Sequence, residues 1–125
     1  AKIRNPDSTR PWQHVLEVIW GYIILAAFLK KRKQKINGHA FNLGPSHNRS
    51  YKVRDCLKII KFYWPNVKWK IYKMKNKTHE SKLLKLNSKK IYKFTKWTTV
   101  LSIKQTLKMT AEWYREFYEN KKTVK

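Results

Sequence analysis

One apolar segment, residues 15–29, constrains the fold of this chain more than any other feature of its sequence. Glu17 is its only charged residue, although Lys and Arg together contribute 30 of the 125 residues. The segment is long enough for a buried helix of about four turns, whereas a membrane span needs about 20 apolar residues. The basic run 30–35 follows it, where cations favour the negative end of a helix dipole. The segment therefore predicts a buried helix in a globular domain and argues against a membrane anchor.

Length and composition limit the chain to one small domain. Apolar residues make up 42% of it and aromatic residues 14%, which is unlike a disordered tail. The formal net charge is +23, and 24 of the 30 basic residues are Lys. These lysines are dispersed rather than clustered on one face, and Arg, the usual reader of phosphates and base edges, is scarce. A coding sequence rich in A and T explains that pattern, and a basic module that binds nucleic acid or another polyanion is the alternative function.

The pattern of apolar and turn-forming residues predicts an α/β arrangement without internal repeats. Helices are expected at residues 15–29, 53–64 and 88–95 and from residue 102 onward, with Ser50 and Ser88 as N-caps. Strands are expected at residues 1–4, 40–45 and 67–71. Residues 10–14 and 82–86 are expected to be extended, and residues 73–80 to form a loop. A sheet with so few strands has open edges, and those edges need partners.

Catalytic and metal-binding patterns are missing from the sequence. None of the three glycines belongs to a phosphate-cradling turn between a strand and a helix. The single cysteine, Cys56, excludes an internal disulfide, and the four histidines lack the spacing of metal ligands. Two Tyr residues have a Lys four positions later, at 92 and 96 and at 118 and 122, and chance alone gives about one such pair in this composition. We therefore expect no catalytic residue and no metal site.

A more specific pattern begins the chain. Residues 3–17 read Ile-Arg-Asn-Pro-Asp-Ser-Thr-Arg-Pro-Trp-Gln-His-Val-Leu-Glu, and Gly21-Tyr22 follow. This run resembles one found in the CDP-glucose 4,6-dehydratases, which are extended short-chain dehydrogenase/reductases. Residues 41–45, the pair His79-Glu80 and residues 84–89 are similar to later segments of that family, in the same order. The resemblance spans essentially the whole chain, and residues 10–14 are its most specific part.

The resemblance implies a fold and a place in a larger enzyme. Residues 1–125 are expected to be the C-terminal sugar-nucleotide-binding portion, an α/β subdomain with few short strands and three to four helices. The cofactor-binding Rossmann half lies outside the resemblance. The family converts CDP-glucose to CDP-4-dehydro-6-deoxyglucose with bound NAD, in the cytoplasm, on a route to lipopolysaccharide. This chain alone is expected to hold no cofactor and to be inactive. Its expected partners are a CDP-sugar and the N-terminal half, if that half is encoded separately.

The resemblance also implies roles for individual residues. Arg10 matches an arginine that contacts the substrate diphosphate, Glu80 an acid that accepts hydrogen bonds from the nucleotide ribose, and Lys77 a second phosphate-contacting cation. Trp12 and His14 match packing and positioning residues. The sequence departs from the family where Asn87 replaces an Asp and Val18 replaces a Pro.

Overall fold

Four helices and four two-residue strands make up the part of the chain that the computed structural model describes, which is residues 1–31, 36–46, 50–72 and 83–119. The helices are α1 (Val15–Lys31), α2 (Val53–Tyr63), α3 (Lys89–Thr95) and α4 (Ile103–Glu119). The strands are β1 (Lys2–Ile3), β2 (Thr9–Arg10), β3 (Tyr51–Lys52) and β4 (Lys70–Ile71). β1 pairs in parallel with β4, and β2 pairs antiparallel with β3. The predicted α/β class and the four predicted helices are confirmed.

The strands differ more from the prediction than the helices do. The expected strands at residues 1–4 and 67–71 are present, but each is reduced to two paired residues. The expected strand at residues 40–45 is wrong, because its backbone bonds to side chains and not to a neighbouring strand. Gly44 N–H donates to Ser88 Oγ at 2.8 Å, and the Leu43 carbonyl accepts from Gln13 Nε2 at 2.7 Å. An extended segment can therefore carry an alternating apolar pattern without joining a sheet.

One core cluster lies between α2 and α4. Cys56 of α2 packs with Ile103 and Leu107 of α4, and all three are buried. Trp12, Tyr51, Ile59 and Ile60 pack against this cluster from outside. Both helices bury one apolar face, which is the pattern of a helix that covers a core, although Phe62 of α2 and Trp113 of α4 are exposed. Burial raises the pKa of the Cys56 thiol from 9.0 to about 12.

The hydrogen bonds at the starts of α2 and α3 differ from those expected of the two predicted N-caps. Ser50 does not cap α2, since β3 intervenes and the residue before the helix is Lys52. At α3, Ser88 occupies the predicted N-cap position, but its hydroxyl bonds to Gly44 and makes no capping bond; Asn87 Oδ1 accepts the Lys89 N–H at 3.0 Å instead. An amide oxygen serves that purpose as well as the carboxylate that the family carries there.

The N-terminus of α4 begins where the sequence places it. Gln105 N–H donates to Ser102 Oγ at 3.3 Å, and Ser102 N–H donates to Gln105 Oε1 at 2.9 Å. These reciprocal bonds pair two backbone N–H groups at the N-terminus of the helix, which is the arrangement of a capping box. The local sequence therefore determines this boundary without help from the rest of the fold.

α1 forms as predicted, but the expectation that it is buried is wrong. Of its residues, only Glu17 and Gly21 are buried. Gly21 faces Leu43 and the Trp97 indole so closely that no side chain would fit there. The opposite side carries Leu16, Ile19, Trp20 and Ile23, and each of them is 45–55% exposed. Among the described residues, none of the helices has both the length and the apolarity needed to cross a bilayer.

The buried carboxylate of Glu17 ties α1 to a distant segment. Its Oε1 accepts the backbone N–H groups of Val100 at 2.7 Å and Leu101 at 2.9 Å. Those two residues lie in the connection between α3 and α4, so this one side chain links α1 to the segment that joins the other two helices. The buried carboxylate needs such donors, because burying a charged group without hydrogen bonds is costly.

Replacing Glu17 tests that tie. We expect Glu17→Ala to destabilise the fold by about 1–3 kcal/mol, because it removes the hydrogen bonds that the buried carboxylate accepts from the Val100 and Leu101 N–H groups. Glu17→Gln keeps an oxygen acceptor and should cost about 1 kcal/mol. Urea unfolding followed by circular dichroism measures both, and equal losses for the two variants would contradict the assigned bonds.

The core thiol provides a second test. We expect Cys56 to react with Ellman's reagent at pH 8 only as fast as the chain unfolds, while the urea-unfolded chain reacts at once. The folded state holds the thiol proton more tightly than the unfolded state, since burial raises this pKa to about 12. The contribution of Cys56 to stability is therefore present below about pH 9.0 and is lost as the pH rises toward 12. Cys56→Ala should remove that part of the alkaline decline.

Candidate functional site

An open cavity of about 580 Å³ lies at the end of β2, and Arg10 is on its wall. The remaining walls come from residues 44–46, residues 84–89, Tyr92 of α3 and residues 97–98. Together with Pro11 and Ser50, these residues bring β2, the segment before β3 and the region around α3 to one space, although the three regions are distant in sequence. Its volume falls within the range of about 300–1,000 Å³ that small-molecule sites occupy.

The turn before β2 positions Arg10. Ser8 N–H donates to the Asn5 carbonyl at 3.3 Å, which closes the predicted turn. The Asp7 carboxylate then accepts hydrogen bonds from Lys52 and Arg54, at the junction of β3 and α2. The hydrogen bond from Lys52 holds the pKa of Asp7 below its usual value, and the charges of Arg54 and Lys52 act in the same direction.

Backbone contacts complete the attachment of this turn. Val53 N–H donates to the Ser8 carbonyl, and Arg54 N–H donates to the Pro6 carbonyl, both at 3.0 Å. Arg10 Nη1 itself donates to the Thr9 carbonyl at 2.8 Å. The guanidinium is thus held partly buried at the edge of the cavity by a rigid turn.

Glycine at position 44 allows the opposite walls to approach. A Cβ atom at Gly44 would lie 2.6 Å from Leu86 Cβ, closer than two carbon atoms can pack. Ser88 fastens the same place, because its hydroxyl accepts from Gly44 N–H at 2.8 Å and donates to Gly44 O at 3.1 Å. Ser46 N–H donates to Thr99 Oγ1 at 3.0 Å, which ties the loop to the chain after α3. The cavity wall is therefore a set of loops joined by side-chain hydrogen bonds.

The lining is positively charged. Lys85 and Lys89 join Arg10, and none of the described lining residues is Asp or Glu. Ser46, Ser50, Ser88 and Tyr92 add hydroxyl groups. Three cations with neutral donors around one space favour an anionic ligand, because phosphate oxygens accept strong hydrogen bonds from Arg and Lys.

Trp12 and His14 lie next to Arg10 in sequence but do not line the cavity. Trp12 Nε1–H donates to the Tyr51 carbonyl at 3.0 Å, and its ring packs on the Cys56 cluster. His14 Nδ1 accepts the Leu16 N–H at 3.3 Å, at the start of α1. Both side chains thus fix the segment that carries Arg10.

Several predicted positions fall outside the described residues, namely Glu80, Lys77, His47, His79 and the basic residues 32–35. Lys122 of the second Tyr–Lys pair is also outside. In the first pair, Lys96 Nζ lies 5.2 Å from the centroid of the Tyr92 ring, so the cation sits over the ring. That contact is a cation–π interaction and not an ammonium-to-phenol hydrogen bond.

Sequence reasoning missed Lys85, Lys89 and Tyr92 as cavity residues. The two lysines stand in the segment that resembles the dehydratases, which was the available signal. The high lysine content of the chain hid this signal, since no local pattern distinguishes Lys85 and Lys89 from the other lysines. Only the approach of residues 84–89 to β2, where Leu83 forms a bridge with Thr9, brings them beside Arg10.

The described residues do not fit a dinucleotide cofactor or a metal. Gly21 lies inside α1 and Gly44 lies against Leu86, so neither forms a turn that receives a pyrophosphate. Gly38 has a φ of 75° and has open space around its Cα, away from any strand-to-helix turn. No group of three His, Cys, Asp or Glu residues within the described ranges is placed to bind a metal ion.

The close contact at Gly44 gives a test of the cavity wall. We expect Gly44→Ala to destabilise the fold by about 1–3 kcal/mol, because the added methyl group must displace Leu86. The displacement should shift the amide resonances of residues 84–89. Ser50→Ala lines the same cavity and adds no volume, so it should leave both stability and those resonances nearly unchanged. Similar effects of the two variants would show that the wall is loosely packed.

No protein-family model matches the chain. Over 114 residues the chain is 32% identical to the CDP-glucose 4,6-dehydratase of Salmonella typhimurium, a match that covers 90% of this chain and 31% of that protein. The chain thus spans about a third of the length of this curated relative.

Solved structures show the same fold at lower identity. A UDP-glucose 4-epimerase from Stenotrophomonas maltophila, solved with NAD and formylated UDP-arabinopyranose, superposes with a TM-score of 0.75 at 13% identity, over 96% of this chain and 36% of that one. A UDP-glucuronic acid 4-epimerase from Bacillus cereus, solved with UDP-glucuronic acid and NAD, gives a TM-score of 0.74 at 15% identity, over 94% of this chain and 35% of that one. The resemblance seen in the sequence is confirmed: the chain is similar to about a third of a CDP-glucose 4,6-dehydratase, and it has the fold of the matching parts of the two nucleotide-sugar epimerases.

Proposed function

We propose that this chain is the substrate-binding part of a CDP-glucose 4,6-dehydratase and that Arg10 contacts the diphosphate of the CDP-sugar. The observation that supports this most directly is the position of Arg10 on the cavity wall together with Lys85 and Lys89. The described lining carries no negative charge, so an anion in the cavity meets these cations without repulsion from a described carboxylate.

The chemistry of the lining suits a diphosphate between a nucleoside and a sugar. A guanidinium presents two parallel N–H groups to a pair of phosphate oxygens, whereas the lysines act as point charges. Each hydrogen bond to a charged group contributes about 1.5–3 kcal/mol. Tyr92 and Trp97 add ring surface to the same cavity, which suits the less polar parts of such a ligand.

Glu80 and Lys77 complete the proposed site on the strength of the resemblance. Glu80 is assigned to the ribose hydroxyl groups, because a carboxylate accepts two hydroxyl hydrogen bonds at once. Lys77 is assigned to a second phosphate contact. Trp12 and His14 are assigned positioning roles, which agrees with their contacts to Tyr51 and to the start of α1.

In the complete enzyme we propose the reaction of the dehydratase family, from CDP-glucose to CDP-4-dehydro-6-deoxyglucose, in the cytoplasm and for lipopolysaccharide synthesis. NAD, held by the rest of that enzyme, accepts and returns the hydride. The residues of this chain bind the nucleotide diphosphate and orient the sugar. We propose that the chain alone is inactive, because its sequence offers no glycine-rich cofactor turn and no catalytic group in a suitable context.

A basic module for nucleic acid or another polyanion is the second candidate, and the net charge of +23 supports it. Such binding falls steeply with salt, since each neutralised phosphate releases counterions. It also depends on the total charge rather than on one arginine. These two properties separate it from nucleotide binding in the cavity.

Titration with CDP tests the proposed function. We expect CDP to shift the amide resonances of Ser46 and Ser88, and Arg10→Ala to weaken its binding about 10–100-fold through loss of charged hydrogen bonds. The matched control is Arg115→Ala, which removes the same charge from α4, outside the cavity. It should leave CDP affinity within about twofold, a difference that corresponds to well under 1 kcal/mol.

Two outcomes would contradict the proposal. If CDP produces no shifts in the cavity, the chain has the ancestry of a dehydratase without its nucleotide site. If Arg10→Ala and Arg115→Ala weaken binding equally and single-stranded DNA competes with CDP, the polyanion function is favoured instead.

A further inference from the structure

A second open cavity, of about 620 Å³, lies where β1 and β4 meet the end of α2. It shares no lining residue with the cavity that holds Arg10. Its lining contains four lysines, which come from β1, from the last turn of α2 and from β4 with the residues just before it: Lys2, Lys61, Lys68 and Lys70. Trp69 lies among them and is half-buried. We call these five residues the lysine pocket.

The pairing of β1 with β4 concentrates these charges. The two strands run parallel, in a register that places Lys2 opposite Lys70. Like charges that face each other on neighbouring strands repel and destabilise the pair. Lysines that look dispersed in the sequence are therefore brought around one space by the fold.

The charge of the lysine pocket is not neutralised by the part of the chain that the structure describes. Lys61 Nζ lies 5.5 Å from the centroid of the Trp69 ring, which is a cation–π contact and leaves the charge in place. No described carboxylate forms an ion pair with any of the four ammonium groups. An anion that enters the pocket would thus relieve the repulsion between the lysines.

The chemistry of the lining indicates what kind of anion fits. Besides the lysines, the described lining consists of Ala1 and Trp69, so it offers no hydroxyl, amide or carboxylate side chain. Sugar hydroxyl groups and base edges are recognised by such groups. An ammonium group acts instead as a compact point charge with three donors. The pocket therefore selects for closely spaced negative charge and not for a nucleoside.

We propose that the lysine pocket binds a chain of linked phosphates, in the form of inorganic polyphosphate or of the triphosphate of a nucleotide. Such a chain carries several negative charges within the span of one cavity and has many oxygen acceptors for ammonium groups. Its binding stabilises the folded state, because the unfolded chain does not hold the four lysines together. This site goes beyond the proposed function and does not depend on it.

Titration with inorganic tripolyphosphate tests the lysine pocket. We expect it to shift the amide resonances of Trp69 and Lys70, which report on this pocket alone, and to raise the melting temperature. Lys2→Gln combined with Lys68→Gln should weaken the binding read at those resonances about 10–100-fold, through loss of charged hydrogen bonds.

The matched control is Lys93→Gln combined with Lys104→Gln, which removes the same charge from α3 and α4. It should leave tripolyphosphate affinity within about twofold. All four substituted lysines are exposed, so both double variants should fold, and circular dichroism checks this.

A second arm of the experiment distinguishes the two sources of the phosphate chain. CTP is titrated against the Arg10→Ala chain, in which the other cavity is impaired, and the same two resonances are followed. Tighter binding of tripolyphosphate than of CTP assigns the pocket to inorganic polyphosphate. Tighter binding of CTP assigns it to a nucleoside triphosphate, and either result supports the proposed site.

Three outcomes would overturn the proposal. Equal weakening by the two double variants would show that only the total charge acts. Unchanged resonances of Trp69 and Lys70 would show that the pocket takes no phosphate chain. An oligothymidylate that displaces tripolyphosphate and binds more tightly would assign the surface to nucleic acid instead. CDP binding at Arg10 is read at Ser46 and Ser88, so its failure is distinguishable from a failure here.

Discussion

The packing of this fold depends on the carboxylate of Glu17. It lies inside the protein and accepts the N–H groups of Val100 and Leu101, which otherwise are backbone donors without a partner at the junction of α3 and α4. One side chain thereby fixes α1 against the segment that positions the other two helices. The inward position of this carboxylate fixes the rotation of α1 about its own axis. The apolar side that carries Ile19 and Ile23 consequently faces outward. The exposed face of α1 is thus a consequence of the same contact.

The candidate site depends on the same arrangement, and Trp97 provides the link. Trp97, which follows α3, packs under Gly21 and also forms part of the cavity wall. Gly44 and Ser88 then join two loops across the cavity, and the turn at Asp7 presents Arg10 to it. The result is a concentration of positive charge, with no Asp or Glu among the lining residues that the structure describes. Such a site is at its most stable with an anion bound, which links the stability of the loops to their proposed function.

Local signals predicted the helices well. α2 and α4 have one apolar face each, and Ser102 with Gln105 marks the start of α4, so periodicity and capping were sufficient. The strand at residues 40–45 could not be predicted correctly, since its alternating pattern reflects contacts with Gln13 and Ser88 rather than a sheet. Burial of α1 was also mispredicted, because the apolar length of a helix does not determine how much of its surface the rest of the chain covers.

The sequence by itself determined the helical segments, the turn that precedes Arg10 and the resemblance of residues 3–17 to the dehydratases, because each of these depends on residues close together in the chain. Tertiary structure alone decided that Lys85, Lys89 and Tyr92 share a cavity with Arg10. It also decided that the side chain of Asn87, and not that of Ser88 at the N-cap, bonds to the first turn of α3, since the Ser88 hydroxyl bonds to Gly44. The physical reason is the same in both cases. Several lysines and several polar side chains are equivalent in the sequence, and contacts between distant residues determine which of them takes each role.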